Sequence, residues 1–183
     1  MEVIGTSIPD VKRIRRKRFA DERGFFWEPF KQSAFAEAGL PDTFLQDNHS
    51  LSRQVGTVRG LHYQIAPQGQ AKLIWVVSGA IFDVAVDIRK KSPTFGQHVS
   101  MTLKADEPEQ ILIPEGFAHG FCTLEPDTQV MYKVTRLYSP PHERGILWND
   151  PALGIAWPVG AGKVHLSEKD KGYPTFKNQG DLF

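Results

Sequence analysis

From residue 73 to residue 138 the chain passes through one short β-branched or aromatic run after another, each closed by turn residues. The runs are residues 73–77, 80–88, 98–103, 110–114 and 128–138, and all are rich in Val, Ile, Phe and Tyr. Ser78-Gly79, the stretch from Pro93 to Gly96, Pro108, Glu115-Gly116 and Pro126-Asp127 punctuate them. Short strands at this spacing argue for an all-β sandwich or barrel. Within residues 80–88, Ile81, Asp83, Ala85 and Asp87 share one face by the two-residue period. Asp83 therefore points either into a partly polar interior or onto an exposed face that carries both acids. Helix is scarce. Residues 33–38 predict a short helix with Ser33 as cap and Gly39 as stop, and residues 166–171 a second one, with Ser167 and Asp170 spaced as a loose capping box.

The chain has 183 residues, which predicts a single domain over 1–183. That length buries a core without staples, hiding roughly 70% of the unfolded surface. The net charge of +1 creates no global field for nucleic acid or membrane, so neither is expected as a partner. The single cysteine, Cys122, excludes an internal disulfide and any multi-cysteine zinc site. The first residues lack the apolar core of a secretory signal, and no run of about 18 apolar residues occurs. A cytoplasmic protein is expected. The basic run at 12–18 (KRIRRKR) reads as a solvated strand or loop face. Trp27, Trp75, Trp148 and Trp157 read as core or interface aromatics. GxGxxG after a strand and GxxxxGK[ST] are both absent, which argues against Rossmann and P-loop sites.

Two constellations carry chemistry. The first is Arg59-Gly60-Leu61-His62-Tyr63-Gln64, followed by Gln70-Ala71-Lys72. On a strand His62 and Gln64 face one side. A histidine suits general base work because its pKa lies near neutrality. The second is Pro114-Glu115-Gly116-Phe117-Ala118-His119-Gly120-Phe121, which matches PxGxxH, the shape of the second cupin motif. The stretch matching the first cupin motif, residues 60–79, offers His62, Gln64 and Lys72 in place of the usual metal-binding HxH and Glu. Zinc and iron sites draw on three or more His, Cys or carboxylate ligands, and an ammonium beside the site opposes a divalent cation. No metal and no cofactor is expected.

A base beside a cation suits removal of a proton α to a carbonyl, with the cation stabilising the developing enolate. Epimerisation also needs an acid on the opposite face, and Tyr132 is a candidate beside apolar Val130. Taken alone, Tyr132 reads first as packing. Arg23, Arg59 and Lys169 are anion-binding candidates that, taken singly, read as surface charges. Asp170 reads as a helix cap, as an orienting partner for His62, or as both.

Further motifs run in order along the chain: Asp21-Glu22-Arg23-Gly24-Phe25-Phe26-Trp27-Glu28, Gln46-Asp47-Asn48-His49-Ser50, Val86-Asp87-Ile88-Arg89, Ser92-Pro93-Thr94-Phe95-Gly96, Trp148-Asn149-Asp150-Pro151 and the SxKD segment at 167–170. Together with the two constellations they resemble the dTDP-4-dehydrorhamnose 3,5-epimerases from Asp21 to Asp170. The resemblance implies a cupin-type jelly-roll barrel with few short helices. It also implies a homodimer that exchanges strands, and a dTDP-4-keto-6-deoxy sugar, dTDP-4-dehydro-6-deoxy-D-glucose, as substrate. It assigns His62 as the base oriented by Asp170, Lys72 as the enolate stabiliser and Tyr132 as the acid. Arg23, Glu28, Gln46, Asn48, Arg59, His119, Glu143 and Lys169 would contact substrate, and Tyr138 would stack on thymine. Val58 and Trp27 depart from the family's commoner Leu and Phe. Single-carbon epimerases of other deoxysugar pathways share this pattern. A non-catalytic nucleotide-sugar binding protein would be expected to have lost His62, Lys72 or Tyr132, and a metal-dependent cupin enzyme would need other ligands.

Overall fold

The computed structural model describes residues 1–183, the side chain of Ala161 apart. Two antiparallel sheets dominate it, as the turn-punctuated runs demand. In chain order the strands are β1 (Glu2–Gly5), β2 (Lys12–Arg15), β3 (Arg18–Asp21), β4 (Gly24–Trp27), β5 (Gln46–Ser52), β6 (Val58–Gln64) and β7 (Lys72–Ser78). There follow β8 (Ala80–Asp87), β9 (His98–Lys104), β10 (Glu109–Ile113), β11 (Phe117–Thr123), β12 (Thr128–Val134) and β13 (Glu143–Gly145). The helices are α1 (Gln32–Glu37) and α2 (Glu168–Lys171), with a few 3-10 turns besides.

One sheet has the order β1-β2-β10-β7-β12-β5 and the other β13-β6-β11-β8-β9. Neighbours distant in sequence make this a jelly roll rather than a meander. The β3–β4 hairpin pairs only with itself. Between the sheets Ile74, Val76, Ile111, Ile113 and Val130 of the first meet Ile81, Ala85, Val99, Leu103, Phe117 and Phe121 of the second. Outside the first sheet, α1 lays the fully buried Phe35 over Leu73, Trp75 and Leu112. Outside the second, Leu153, Phe176 and Phe183 cover Leu61, Tyr63, Val84 and Val86. Both faces of β8 are thus closed, which resolves the two readings of Asp83 in favour of the interior: it is 0% exposed. Asp87 is equally buried but is held by Arg89, Ser92 and Thr94 at a turn.

Three expectations need correction. Helix α1 begins one residue earlier than predicted, with Lys31 at the cap position and no side-chain cap, so Ser33 does not cap it; Gly39 does follow its end with φ +66°. The strand expected over 128–138 stops at Val134. Beyond it the Thr135 hydroxyl accepts from the Ala71 amide and Gln70 donates to the Arg136 carbonyl, which draws the chain off the ladder. The 12–18 run is a solvated face only in part, with Arg15 and Lys17 exposed. Arg13 and Arg15 both pair with buried Glu109, and Arg18 donates to the Ala105 and Asp106 carbonyls while lying over Phe25 and Trp27. Among the described residues no helix is long and apolar enough to cross a membrane.

Candidate active site

His62 sits in the middle of β6, opposite His119 of β11 on one side and Gly145 of β13 on the other. Between Arg59 and His62 the pairing with β11 shifts: Arg59 faces Phe121, His62 faces His119, so two β6 residues oppose one of β11. Such a bulge breaks the two-residue alternation. Arg59 and His62, three positions apart, consequently line the same cavity. Gly60 makes the bulge possible, with φ +134° and no room for a Cβ, which would lie 2.5 Å from the Gly120 Cα.

His62 Nε2 is 2.5 Å from Asp170 Oδ1. Asp170 is buried and comes from α2, where the Ser167 hydroxyl accepts from the Asp170 amide at 3.1 Å. The capping box is therefore half made. Its hydroxyl caps the helix, and its carboxylate turns to the imidazole instead of back to the cap. Asp170 thus gives its amide to the cap and its carboxylate to the imidazole. An Nε2–H donated to Asp170 leaves the Nδ1 lone pair free to accept a proton.

Lys72 opens β7 and is 8% exposed, its Nζ donating to the His62 carbonyl at 3.2 Å. Burial pushes its ammonium down to about 8, against the pull of Asp83 and Glu143. Nearby, His119 Nε2 lies 2.8 Å from Asp83 Oδ2, and Asp83 Oδ1 has no hydrogen-bond partner among the described residues. Burial lowers the His119 pKa in spite of Asp83. Tyr132 stands on β12 across from Ile74 and Asn48, its phenol pushed up by burial, with Arg59 opposing. The hydroxyl stays protonated at neutral pH, as an acid must.

Two adjoining cavities share His62, Lys72 and Tyr132. One, of about 520 Å³, also takes in Arg59, His119, Lys169 and Asp170. The other, of about 180 Å³, also takes in Gln46, Asn48, Tyr138 and Glu143. A chain of hydrogen bonds runs along the second. The Tyr138 hydroxyl donates to Glu143 at 2.7 Å, the Tyr138 amide to Gln46 at 2.9 Å, and Gln46 to Asn48 at 2.7 Å, while Lys169 pairs with Glu143. Arg59 is braced by the Ser52 hydroxyl and the Leu51 carbonyl.

Eleven of the expected site residues thus line these two adjoining cavities. Arg23 and Glu28 do not. They lie at the β3–β4 hairpin, where Arg23 is 84% exposed and pairs with Asp21, and Glu28 approaches Arg16 at 3.8 Å. Sequence reasoning missed Asp83 as a site residue, although its place among apolar alternation in β8 was the available signal. Gln64, grouped with His62 on β6, lines the second cavity. Gln64 is buried and clamps the loop that carries Tyr138, donating to the Gln68 and Leu137 carbonyls and accepting from the Ser139 amide. Among the described residues no three of His, Cys, Asp and Glu are grouped to hold a metal ion.

The geometry has counterparts in known proteins. A family model described as dTDP-4-dehydrorhamnose 3,5-epimerase matches residues 5–178. The chain is 53% identical over 171 residues to the dTDP-4-dehydrorhamnose 3,5-epimerase of Shigella flexneri, covering 93% of each. It superposes with a TM-score of 0.92 at 46% identity on the crystal structure of the dTDP-6-deoxy-D-glucose-3,5-epimerase of Legionella pneumophila Philadelphia 1 in complex with dTDP-4-keto-L-rhamnose, covering 97% of this chain and 93% of that one. A TM-score of 0.91 at 49% identity relates it to the dTDP-4-dehydrorhamnose 3,5-epimerase of Bacillus anthracis with TDP and PPi bound, over 95% and 98% of the two chains.

Proposed function

The chain belongs to the dTDP-4-dehydrorhamnose 3,5-epimerase family, and on that footing we propose that it converts dTDP-4-dehydro-6-deoxy-D-glucose to dTDP-4-dehydro-L-rhamnose by inverting carbons 3 and 5. It is an isomerase, and residues 1–183 act as one epimerase domain.

Both carbons are α to the carbon-4 ketone, which acidifies their protons. His62 Nδ1 takes each proton, and the electron pair of the broken C–H bond passes into an enolate. Asp170 holds the ring and stabilises the imidazolium that forms. The enolate oxygen is met by the Lys72 ammonium, a charge worth more in a buried site than in water. Tyr132 then gives its phenolic proton to the opposite face of the carbon, which inverts it, and solvent restores Tyr132 and His62. No cofactor enters, since side chains supply base, cation and acid. The observation that carries this reading is the convergence of the His62–Asp170 pair, Lys72 and Tyr132 on one cavity.

For the nucleotide, Arg59 and Lys169 are assigned to the diphosphate and Tyr138 to stacking on thymine. Gln46, Asn48, His119 and Glu143 are assigned to polar groups of the substrate. Arg23 and Glu28 fit the same scheme only if the β3–β4 hairpin reaches the site of a second copy, so a strand-exchanging homodimer is part of the proposal. The nucleotide-sugar substrate argues for a cytoplasmic setting, with no role for nucleic acid or membrane.

The test is incubation with substrate in deuterium oxide, with product read by NMR. Deuterium is expected at carbons 3 and 5. A folded protein that incorporates none sinks the reading, and label at one carbon alone would mark a single-site epimerase. His62→Ala is expected to abolish exchange while the protein keeps its assembly state.

A further inference from the structure

One aromatic ring beside the base has so far had no part in the chemistry. Tyr173 lies two residues past α2, and its ring centroid is 5.6 Å from that of His62 with the planes inclined by 67°. Gly145, the β13 partner of His62, opens the slot that admits it, since a Cβ there would lie 2.4 Å from two atoms of the Tyr173 ring. The Tyr173 hydroxyl is buried and makes no hydrogen bond among the described residues, and burial raises its pKa against the nearby Lys169. A buried hydroxyl left without a good partner costs stability, so the polar end does not explain why the ring is there. The ring itself does.

The χ2 torsion of histidine is broad and roughly two-fold. A single hydrogen bond from Nε2 to Asp170 fixes one edge of the imidazole but leaves the ring free to rock about that contact. An aromatic wall packed against it removes this freedom. We propose that Tyr173 is a positioning residue, its ring locking the plane of the His62 imidazole so that Nδ1 stays aimed at the reacting carbon. The role rests on the reading of His62 as the base. One segment would then supply both constraints, Asp170 from within α2 and Tyr173 from just beyond it.

The charged and titratable groups around His62 are Asp170 and Lys169 of α2, Glu143 of β13, His119 of β11, Lys72 of β7, Tyr132 of β12 and Arg59 of its own strand. Tyr173→Phe alters none of them and keeps the ring. Tyr173→Leu keeps apolar cover but loses the flat wall, and Tyr173→Ala empties the slot. Tyr173→Phe is expected to hold kcat within about 2-fold of the unaltered enzyme. Tyr173→Leu and Tyr173→Ala are expected to lower kcat roughly 10- to 100-fold with little change in KM, as misaimed catalytic groups do. Unchanged kcat in Tyr173→Leu would overturn the proposal, as would a loss in Tyr173→Phe equal to that in Tyr173→Leu. Should Tyr173→Ala fail to fold, the Phe and Leu pair decides. The mobility of the His62 ring, followed by NMR relaxation without substrate, separates the two levels. If the unaltered protein exchanges no deuterium while Tyr173→Leu, and not Tyr173→Phe, still frees that ring, the reaction falls and the positioning of His62 stands.

Discussion

Lys72 needs a charge in a place that penalises charge. Burial pushes its ammonium down to about 8, and Asp83 and Glu143 keep it from falling further. On the proposed mechanism the protonated form holds the enolate, so activity is expected below that value and its loss as pH rises through it. The kcat/KM profile, which reports the free enzyme, is expected to show an alkaline limb near 8; a flat profile to pH 10 would argue against the role. Lys72→Met keeps the stem and removes the charge, and should lower kcat by roughly 10²- to 10³-fold, the usual cost of one preorganised donor. Tyr132→Phe separates the two half-reactions. His62 still removes and returns a proton on its own face, so deuterium is expected to wash into substrate without inversion, which mass and coupling constants in the NMR spectrum distinguish. These residues were not equally legible. His62 and Lys72 stand out because their motif packs Arg, His and Lys into one short stretch. Tyr132 and Asp170 look like packing and a helix cap, and only the family resemblance raised them. Asp83 was legible as an acid inside an apolar alternation, but its face, shared with Ile81 and Ala85, is buried by strands of the other sheet that the local sequence does not encode.

Helix α2 has four residues, far fewer than a helix needs to persist in water by itself. It is held by the Ser167 cap at one end and by the Asp170–His62 contact. Ser167→Ala therefore acts on fold and site together. The lost cap should cost about 1 kcal/mol and lower Tm by about 2–4 °C in a chain of this size. A several-fold fall in kcat should accompany it, because Asp170 loses its fixed backbone; calorimetry and steady-state rates on the same sample check both. The cap was readable from SxKD, and so were the strands from 73 onward, because their β-branched runs are bounded by Gly and Pro. The N-terminal strands were not. In β2 the apolar signal is one residue, Ile14, among arginines whose partner Glu109 lies 94 and 96 residues away. Pairing at that distance leaves no local trace. Nor does the bulge in β6, since it depends on Gly60 meeting Gly120 of another strand.

At the scale of the molecule the unsettled question is where the β3–β4 hairpin belongs. It pairs with neither sheet, yet it exposes Phe19, Phe25 and Phe26 at 51, 60 and 64%. Adjacent exposed aromatics of this size mark an interaction surface. The same hairpin carries Arg23 and is followed by Glu28, the two expected substrate contacts that a single copy leaves outside the cavity. Both facts are accounted for if each copy lends its hairpin to the other's site, as a two-fold dimer permits. The consequence is testable without a further structure. Arg23→Ala and His62→Ala proteins, each inactive or nearly so, are mixed and allowed to exchange subunits. If Arg23 serves the partner's site, a mixed dimer holds one site with both defects and one with none. Random reassortment should then restore about a quarter of full activity. If Arg23 serves its own chain, every site in the mixture carries one defect and nothing is recovered. Phe25→Asp with Phe26→Asp should abolish that recovery by parting the subunits, with light scattering reporting the halved mass.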